Sequence, residues 1–373
     1  MREPPNVPDR TIIASIQASY GIGVVSLTFL PLGHDSSAWV YRAHAADGST
    51  YFLKVRIGSI YKPGLVVPRY LHDRKAAHVI APLPTTGGAL WANLQDFAMI
   101  LYPFIEGRTG MEVGLTEDQW VLFGAAVKQM HATPLPPELV RLVSPAPFAP
   151  KWGGAVRDWD ATRQLDQRVA TASFTGSLER EVAAFWRSRS PQIRLLVNRA
   201  EDLGRKLRET ALPPVLCHAD LHTGNVLIDT NGHLWIVDWD ETVLSPKERD
   251  LMFVVGGISR ELVGPREEEL FFRGYGEAVI NPFALSYHRH AWAVQDISDF
   301  GEQVFSRPDL GVVTRRAAAK LLMGLFRPGE IVDLAFDSDR SRVQVSPATA
   351  PSGPSCLPPH RAGSMRPRRR AEP

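Results

Sequence analysis

The sequence predicts an α+β fold with two lobes, a small β-rich lobe at residues 1–103 and a large helical lobe at residues 104–336. Three observations support this prediction. Apolar runs bounded by turn residues are concentrated before residue 103, and amphipathic helical patterns dominate after residue 116. The composition then changes to Pro, Ser, Ala and Arg, so we expect residues 337–373 to form a disordered tail with too few apolar side chains to offset the entropy of ordering.

The N-terminal lobe should contain a sheet. Three runs are rich in β-branched and aromatic residues: 24–30, 38–43 and 50–55. Asp47-Gly48 suits the turn between the last two of them. A further apolar run, residues 97–101, leads into Tyr102-Pro103-Phe104, where the composition becomes turn-like. This change predicts a hinge between the lobes.

The C-terminal lobe should be built mainly from helices. Thr116-Glu117-Asp118-Gln119 has the form of a capping box, and apolar side chains follow at helical spacing. Residues 179–209 show the same spacing over a longer stretch, which predicts faces that pack in a core. Asp250 opens another helical stretch, where either a bond to the loop around residue 220 or the helix dipole accounts for it.

The most informative stretch is residues 215–240. Two short β-type runs flank Asn231-Gly232, a pair that suits the turn of a tight hairpin. Such a hairpin returns Asp238 to the side of Asp220 and Asn225. The sequence therefore predicts that two carboxylates and one amide meet at a single site.

These three side chains match what phosphoryl transfer requires. A carboxylate accepts a hydroxyl proton, while an amide and a second carboxylate hold Mg²⁺ against the phosphates of ATP. The motif is written here as His218-x-Asp220 with Asn225 following. We therefore predict Asp220 as the catalytic base, Asn225 and Asp238 as Mg²⁺ ligands, and ATP as the phosphoryl donor.

Two other interpretations of the motif stay open at this point. Asp and Asn populate ordinary turns for local hydrogen-bonding reasons. Alternatively, His218, Asp220 and His222 have the ligand types and spacing of a transition-metal site in a hydrolase. The hydrolase interpretation gives no role to Asp238 or to Lys54.

A nucleotide-binding lobe should precede the motif. Lys54 lies within the apolar run 51–55, where an ammonium group is costly unless it has a partner, and we expect that partner to be an ATP phosphate. The alternative places Lys54 on the solvent face of an edge strand. The loop at residues 31–37 is expected to lay its backbone over the phosphates through Gly33, Ser36 and Ser37.

The hinge should bind the adenine. Pro103 has no N–H group, so Tyr102 and Phe104 are the residues expected to offer backbone groups to the base.

The chain resembles the aminoglycoside phosphotransferase family, small-molecule kinases with the protein-kinase fold, and within it the branch that phosphorylates spectinomycin. Besides the motif, the resemblance rests on several segments: residues 144–145, 150–152, 237–241, 245–253, 274–277 and 286–290. It covers residues 10–336. It implies the same roles for Asp220, Asn225, Asp238 and Lys54 as the residue chemistry does.

One departure from the family pattern concerns Lys54. The family usually pairs the strand lysine with a glutamate on the following helix, but residues 64–73 contain no glutamate. Either the phosphates alone orient Lys54 or another carboxylate takes that place. Pro68 is expected in the first turn of that helix.

The resemblance implies a cationic acceptor and therefore an acidic pocket with a flat apolar wall. The predicted acceptor contacts are Asp240, Glu241, Glu277 and Tyr287, with further candidates in Asp296, Asp299, Glu302, Tyr275, His288 and Trp292. Rival functions are a kinase for homoserine, choline, an amino sugar or another antibiotic, and a weakly catalytic, kinase-like nucleotide-binding protein.

Composition favours a cytoplasmic enzyme with a small-molecule substrate. The chain has 373 residues and a net charge of +2, which gives no case for nucleic acid or a membrane surface as partner. Its two cysteines, Cys217 and Cys356, are too few for a disulfide framework. No apolar run has the length of a membrane helix or the position of a signal peptide.

Overall fold

The computed structural model describes residues 3–33, 35–75, 78–143, 145–146, 148, 151–152, 155–156 and 159–343. It confirms the predicted α+β architecture, with an antiparallel sheet in the N-terminal lobe and a mainly helical C-terminal lobe. Within the described ranges, no helix combines the length and the hydropathy needed to span a membrane.

The N-terminal lobe is a sheet backed by one helix. Among the described residues its five strands follow the spatial order β1-β2-β3-β5-β4. The elements are α1 (Asp9–Tyr20), β1 (Val24–Leu30), β2 (Ala38–Ala45), β3 (Thr50–Ile57), α2 (Pro63–Asp73), β4 (Ala92–Leu94) and β5 (Phe97–Pro103). Ile12 and Ile16 of α1 are fully buried in one cluster with Leu53 and Leu101. Strand β3 is central, so Lys54 is not on an edge strand.

Helix α2 begins earlier than the sequence predicts. Pro63 takes the first helical position, where a missing N–H costs nothing, and Pro68 therefore lies inside the helix rather than in its first turn. Near the start of α2, Gly64 packs directly on the backbone of the C-terminal lobe. A Cβ atom there would lie 2.9 Å from the carbonyl oxygen of Trp239.

The C-terminal lobe places a short hairpin and several small strands against helices. The first elements are β6 (Gly107–Thr109), α3 (Gly110–Val113), α4 (Glu117–Ala132), α5 (Pro137–Leu142), β7 (Lys151–Trp152), β8 (Ala155–Val156), α6 (Trp159–Thr171) and α7 (Ser177–Arg208). There follow β9 (Val215–Cys217), β10 (Val226–Asp229), β11 (Leu234–Ile236), β12 (Val243–Ser245), α8 (Glu248–Leu251), α9 (Pro265–Tyr275), α10 (Pro282–Phe305), α11 (Val312–Gly324) and α12 (Ile331–Val343).

Several local predictions are confirmed in this lobe. Thr116 and Gln119 form the predicted capping box at the start of α4. Strands β10 and β11 pair in the predicted hairpin, with Val226 opposite Ile236. The predicted tail, however, starts too early, because α12 continues to Val343. The remainder of that tail lies outside the described residues.

Helices α4 and α9 approach each other unusually closely. Two glycines make this possible, since a Cβ on Gly124 would overlap the carbonyl oxygen of Phe271 and one on Gly274 would overlap that of Val121. Phe123 and Phe271 pack edge to face beside them and are fully buried. Backbone contact at the glycines thus fixes the distance between the helices.

Substituting Gly274→Ala should destabilise the protein, because the added methyl group meets backbone atoms that cannot move without separating α4 from α9. We expect a loss of about 1–3 kcal/mol in the free energy of unfolding, measured by chemical denaturation. Gly324→Ala is the matched control. Gly324 ends helix α11 with open space around its Cα, so we expect stability to be unchanged or raised by up to about 1 kcal/mol. Equal losses in both variants would contradict this account.

Candidate active site

A buried carboxylate holds the loop between β9 and β10, which carries Asp220. Asp250 is fully buried in α8 and accepts the backbone N–H of His218 at 3.0 Å and that of Ala219 at 2.7 Å. Ala219 has a φ of 70°, a strained left-handed value for alanine. Of the two predicted roles for Asp250, the structure shows hydrogen bonding to the loop.

A second layer supports Asp250. His131 of α4 places Nε2 2.9 Å from Asp250 Oδ2, and its Nδ1 lies 2.8 Å from the hydroxyl of Tyr275. Cys217 lies in the same buried group, where burial raises the pKa of its thiol. The oxygens of Asp250 are already engaged by two backbone N–H groups and by His131. The group therefore acts as a brace for the loop.

His218 and His222 both bond the backbone of the loop through ring nitrogens. His218 Nε2 lies 2.9 Å from the carbonyl oxygen of Val237, and its Nδ1 accepts the backbone N–H of Asp220 at 3.3 Å. His222 Nδ1 accepts the N–H of Gly224 at 3.0 Å. Both nitrogens of His218 are thus occupied, which opposes the hydrolase interpretation.

Asp220 and Asn225 are bonded to each other. The side-chain nitrogen of Asn225 donates to the backbone oxygen of Asp220 at 2.8 Å and to its Oδ2 at 2.9 Å. Within the described residues, Oδ1 of Asp220 is buried and accepts no hydrogen bond, although His222 Nε2 lies 3.3 Å from it. A carboxylate oxygen in this state is suited to accept a proton.

Asp238 follows the hairpin and faces Lys54. Its backbone has a φ of 60°, and the preceding N–H, of Val237, donates to Asn225 O at 3.0 Å. Burial would raise the pKa of Asp238, but the ammonium of Lys54, 3.1 Å from Oδ1, outweighs it and lowers that pKa. Asp238 therefore stays ionised, as a cation ligand must be.

The donor set fits Mg²⁺. Because the amide nitrogen of Asn225 is committed to Asp220, the amide oxygen is the atom left to face a cation. With the carboxylate of Asp238 it provides oxygen ligands, which hard cations prefer. Asn225 and Asp238 are thus the residues that would hold the ion.

Lys54 is buried between two carboxylates, with 9% of its surface exposed. Its Nζ lies 3.1 Å from Asp238 Oδ1 and 2.7 Å from Asp240 Oδ2. Burial favours the neutral amine, but the two carboxylates prevail and raise the pKa of Lys54 well above its ordinary value. Lys54 is therefore a permanent cation, and its placement excludes the solvent-facing alternative.

Asp240, a predicted acceptor contact, bonds two cations of the N-terminal lobe. Its Oδ2 bonds Lys54 and, at 3.0 Å, Nη1 of Arg56. Both partners belong to β3 in the N-terminal lobe, because the chain turns toward the sheet directly after Asp238. Asp240 thus lies where the C-terminal lobe meets strand β3.

The hinge residue Phe104 is predicted to offer a backbone group to the adenine, but its N–H is already used. It donates to Thr50 O at 3.2 Å, because the pairing of β3 with β5 continues one residue past Pro103. Tyr102 lies at the end of β5 and remains a predicted adenine neighbour. In the described part of the chain, the N–H of Ile105 makes no backbone bond, so it is the next donor along the hinge.

In the predicted phosphate loop, one backbone N–H group is already bonded within the loop. Ser37 donates its N–H to Asp35 Oδ1 at 2.7 Å, and Gly33 has a φ of 76° with open space around it. Ser36 is buried and its hydroxyl lies 3.5 Å from Nη1 of Arg307, at the end of α10. Ser37 would have to leave Asp35 before its N–H could bind a phosphate.

Acidic side chains of α10 lie beside the loop that carries Asp220. Burial and the neighbouring carboxylates of Asp299 and Asp220 raise the pKa of Asp296 well above its ordinary value. An aromatic row connects the same region to the loop: the ring of Trp292 lies 5.0 Å from Phe253, which lies 6.1 Å from His222. The site thus has an acidic side and an aromatic side, although the sequence ranked Asp296 and Trp292 below other candidates.

Four of the other predicted acceptor contacts have different surroundings. Tyr287 is buried in the core with its ring 5.6 Å from Phe148, so it does not form a wall of the site. Tyr275 lies behind the loop with His131. Glu241 is half-buried near Tyr61. Glu277 is exposed in the segment after α9, and no contact among the described residues joins it to Asp220.

The chain is similar to phosphotransferases of known structure and sequence. Residues 28–291 match the model of the phosphotransferase enzyme family. The crystal structure of spectinomycin phosphotransferase APH(9)-Ia with ADP and spectinomycin is 30% identical, with a TM-score of 0.78 over 90% of this chain and 100% of that one. Protein StrN of Streptomyces griseus is 28% identical over 269 residues, which is 67% of this chain and 74% of StrN.

A more distant structure shares the fold alone. Amicoumacin kinase hAmiN, solved in complex with AMP-PNP, Ca²⁺ and Ami, is 17% identical with a TM-score of 0.54 over 88% of this chain and 97% of that one. The family match runs from β1 into α10 and so includes both lobes and every residue of the motif. The predicted resemblance is confirmed, and the chain belongs to the phosphotransferase enzyme family.

Proposed function

We propose that this phosphotransferase moves the γ-phosphoryl group of ATP to a hydroxyl of a small cationic molecule, with spectinomycin as the leading acceptor. The observation that carries the proposal is the group formed by Asp220, Asp296 and Asp299. It combines a base whose buried Oδ1 accepts no hydrogen bond among the described residues with two further carboxylates, whose ionised form a bound cation would favour. The 30% identity to an enzyme solved with ADP and spectinomycin supports the choice of acceptor.

Asp220 is proposed to orient the acceptor and to take its proton. The hydroxyl donates to Oδ1 of Asp220, and its oxygen attacks the γ-phosphorus. The bond from that phosphorus to the β,γ-bridging oxygen breaks, ADP departs, and the hydroxyl proton passes to Asp220. Oδ2 cannot serve equally, because it already accepts from Asn225.

The phosphates are proposed to meet Lys54 and the cation site. Lys54 supplies a fixed positive charge, and a Mg²⁺ ion held by Asn225 and Asp238 would neutralise charge on the phosphate oxygens. The N–H of Ile105 and the backbone at Tyr102 are the proposed adenine contacts. No part of this arrangement depends on which acceptor binds.

Two observations separate the rival functions. The guanidinium of Arg249 lies 5.1 Å from the ring of Trp292, so one face of that ring is already occupied by a cation. This arrangement disfavours a quaternary ammonium acceptor such as choline, which needs aromatic faces. The weakly catalytic alternative was based on the missing helix glutamate, but Lys54 has a carboxylate partner in Asp240.

The proposal is tested by measuring ATP consumption with Mg²⁺ and spectinomycin, beside aminoglycosides, choline and homoserine, with mass spectrometry of each product. We expect spectinomycin to gain one phosphoryl group. Transfer to a different acceptor would retain the reaction and overturn the substrate. Failure to consume ATP with every acceptor would support a binding protein.

Asp220→Asn should abolish transfer without abolishing nucleotide binding. The variant removes the proton acceptor but keeps the side-chain size and the bond from Asn225, so we expect turnover to fall by about 10²–10⁴-fold. The dissociation constant for Mg-ADP, measured by calorimetry, should change little. Asp202→Asn, an exposed carboxylate on α7, is the control and should keep full turnover. Loss of Mg-ADP binding in Asp220→Asn would count against the assigned role.

The substitution Asp296→Asn should weaken binding of the acceptor and stabilise the folded protein. Loss of the carboxylate that a cationic acceptor would ionise should raise KM for that acceptor about tenfold. Because the pKa of Asp296 is raised in the folded state, the native protein retains a proton that the unfolded chain loses above its ordinary pKa of 3.8. The free energy of unfolding of the wild type therefore falls as the pH rises from 3.8 through the folded-state pKa of Asp296. The variant should gain stability relative to the wild type across that range, and a constant difference at all pH values would contradict the assignment.

A further inference from the structure

Two buried cations lie on one face of the central strand β3. Lys54 and Arg56 are two residues apart and therefore point to the same side of the sheet. They are 9% and 7% exposed, respectively. Buried cations are tolerated only with partners, so the acids that neutralise them determine where their side chains lie.

A single carboxylate oxygen binds both cations. Oδ2 of Asp240 lies 2.7 Å from Lys54 Nζ and 3.0 Å from Arg56 Nη1. The other partner of Lys54 is Asp238, which is a proposed ligand of the metal ion. When Asp238 binds a metal ion, its interaction with Lys54 weakens, because its negative charge is partly neutralised. The interaction between Asp240 and Lys54 is unaffected.

Helix α2 does not provide a competing carboxylate. Its acidic residue is Asp73, which is exposed at the end of the helix and bonded to Arg69. The start of α2 instead presses on the backbone that carries Asp240, since a Cβ on Gly64 would lie 3.1 Å from Asp240 Cα. The helix thus fixes the main chain of Asp240, and Arg56 fixes its side chain.

We propose that Asp240, held in place by Arg56, is the positioning residue that directs Lys54 onto the nucleotide phosphates. The inference rests on the proposed function and adds to it the source of order for the phosphate-binding lysine. Arg56 also lies 3.8 Å from Asp35 in the phosphate loop, so the same arginine connects the loop to the lysine's partner. Among the described residues, its buried Nε has no acceptor and is a further donor on this side of the site.

Removing the charge at residue 240 has a defined consequence. In Asp240→Asn, Lys54 keeps only Asp238 as a close carboxylate and draws it away from the metal ion. We therefore expect affinity for Mg-ADP to fall about tenfold and the Mg²⁺ concentration needed for binding to rise. Affinity for adenosine, which has no phosphate, should stay at the wild-type value. A general structural defect would weaken both ligands alike.

The experiment measures Mg-ADP and adenosine dissociation constants by calorimetry, without any acceptor, for Asp240→Asn, Asp240→Glu and the control Asp73→Asn. Asp240→Glu should recover most of the Mg-ADP affinity, and Asp73→Asn should match the wild type. Unchanged Mg-ADP affinity in Asp240→Asn, or equal losses for both ligands, would overturn the proposal. If the wild type bound neither ligand, the proposed function itself would fail.

Arg56→Gln provides an independent test if Asp240→Asn does not fold. This variant retains Asp240 on Lys54 but removes the group that holds its side chain. We expect a smaller loss of Mg-ADP affinity, about threefold, with adenosine affinity unchanged. Where both single variants fold, the double variant should lose less than the product of the two, because the residues act through one interaction. Independent effects would contradict the shared role.

Discussion

The burial of one ammonium group governs how the two lobes meet. Lys54 lies in the central strand of the N-terminal sheet, but its carboxylate partners, Asp238 and Asp240, belong to the other lobe. A buried cation without those acids would be costly, so the sheet and the segment after the hairpin must stay in contact. Gly64 allows α2 to pack directly on the same segment. The site therefore forms where a charge requirement and a close backbone contact coincide.

The two sides of the loop that carries Asp220 differ in how well their polar groups are hydrogen-bonded. Below the loop, Asp250 and His131 engage the backbone and one another, which holds strained Ala219 in position. On the ligand side, Oδ1 of Asp220 accepts no hydrogen bond among the described residues, and burial opposes the ionisation of Asp296. Such groups reduce stability and persist only when the surrounding structure is firm. Such a contrast is typical of catalytic sites, and it supports the proposed role of Asp220.

Sequence alone predicted the parts of the site that depend on short spacing. Asp220, Asn225 and Asp238 lie within one loop and hairpin, so local turn chemistry was enough to bring them together. The bonds of Asp240 to Lys54 and Arg56 could not be predicted, because these partners come from β3 and no local sequence pattern indicates such a contact. The hydrogen bond of the Phe104 N–H could not be predicted for a similar reason, since it depends on how far the pairing of β3 with β5 extends. To predict that Asp296 lies beside Asp220, one would have to know which face of α10 packs against the loop.

The most direct test of the central claim asks what accepts the phosphoryl group. Turnover with Mg-ATP and spectinomycin in water labelled with oxygen-18 distinguishes transfer from hydrolysis. If a hydroxyl of the acceptor attacks phosphorus, as we propose, the phosphoryl group of the product carries no heavy oxygen, and the product forms in equal amount to ADP. Inorganic phosphate that carries one heavy oxygen, with spectinomycin unmodified, would show that water is the acceptor and would contradict the account.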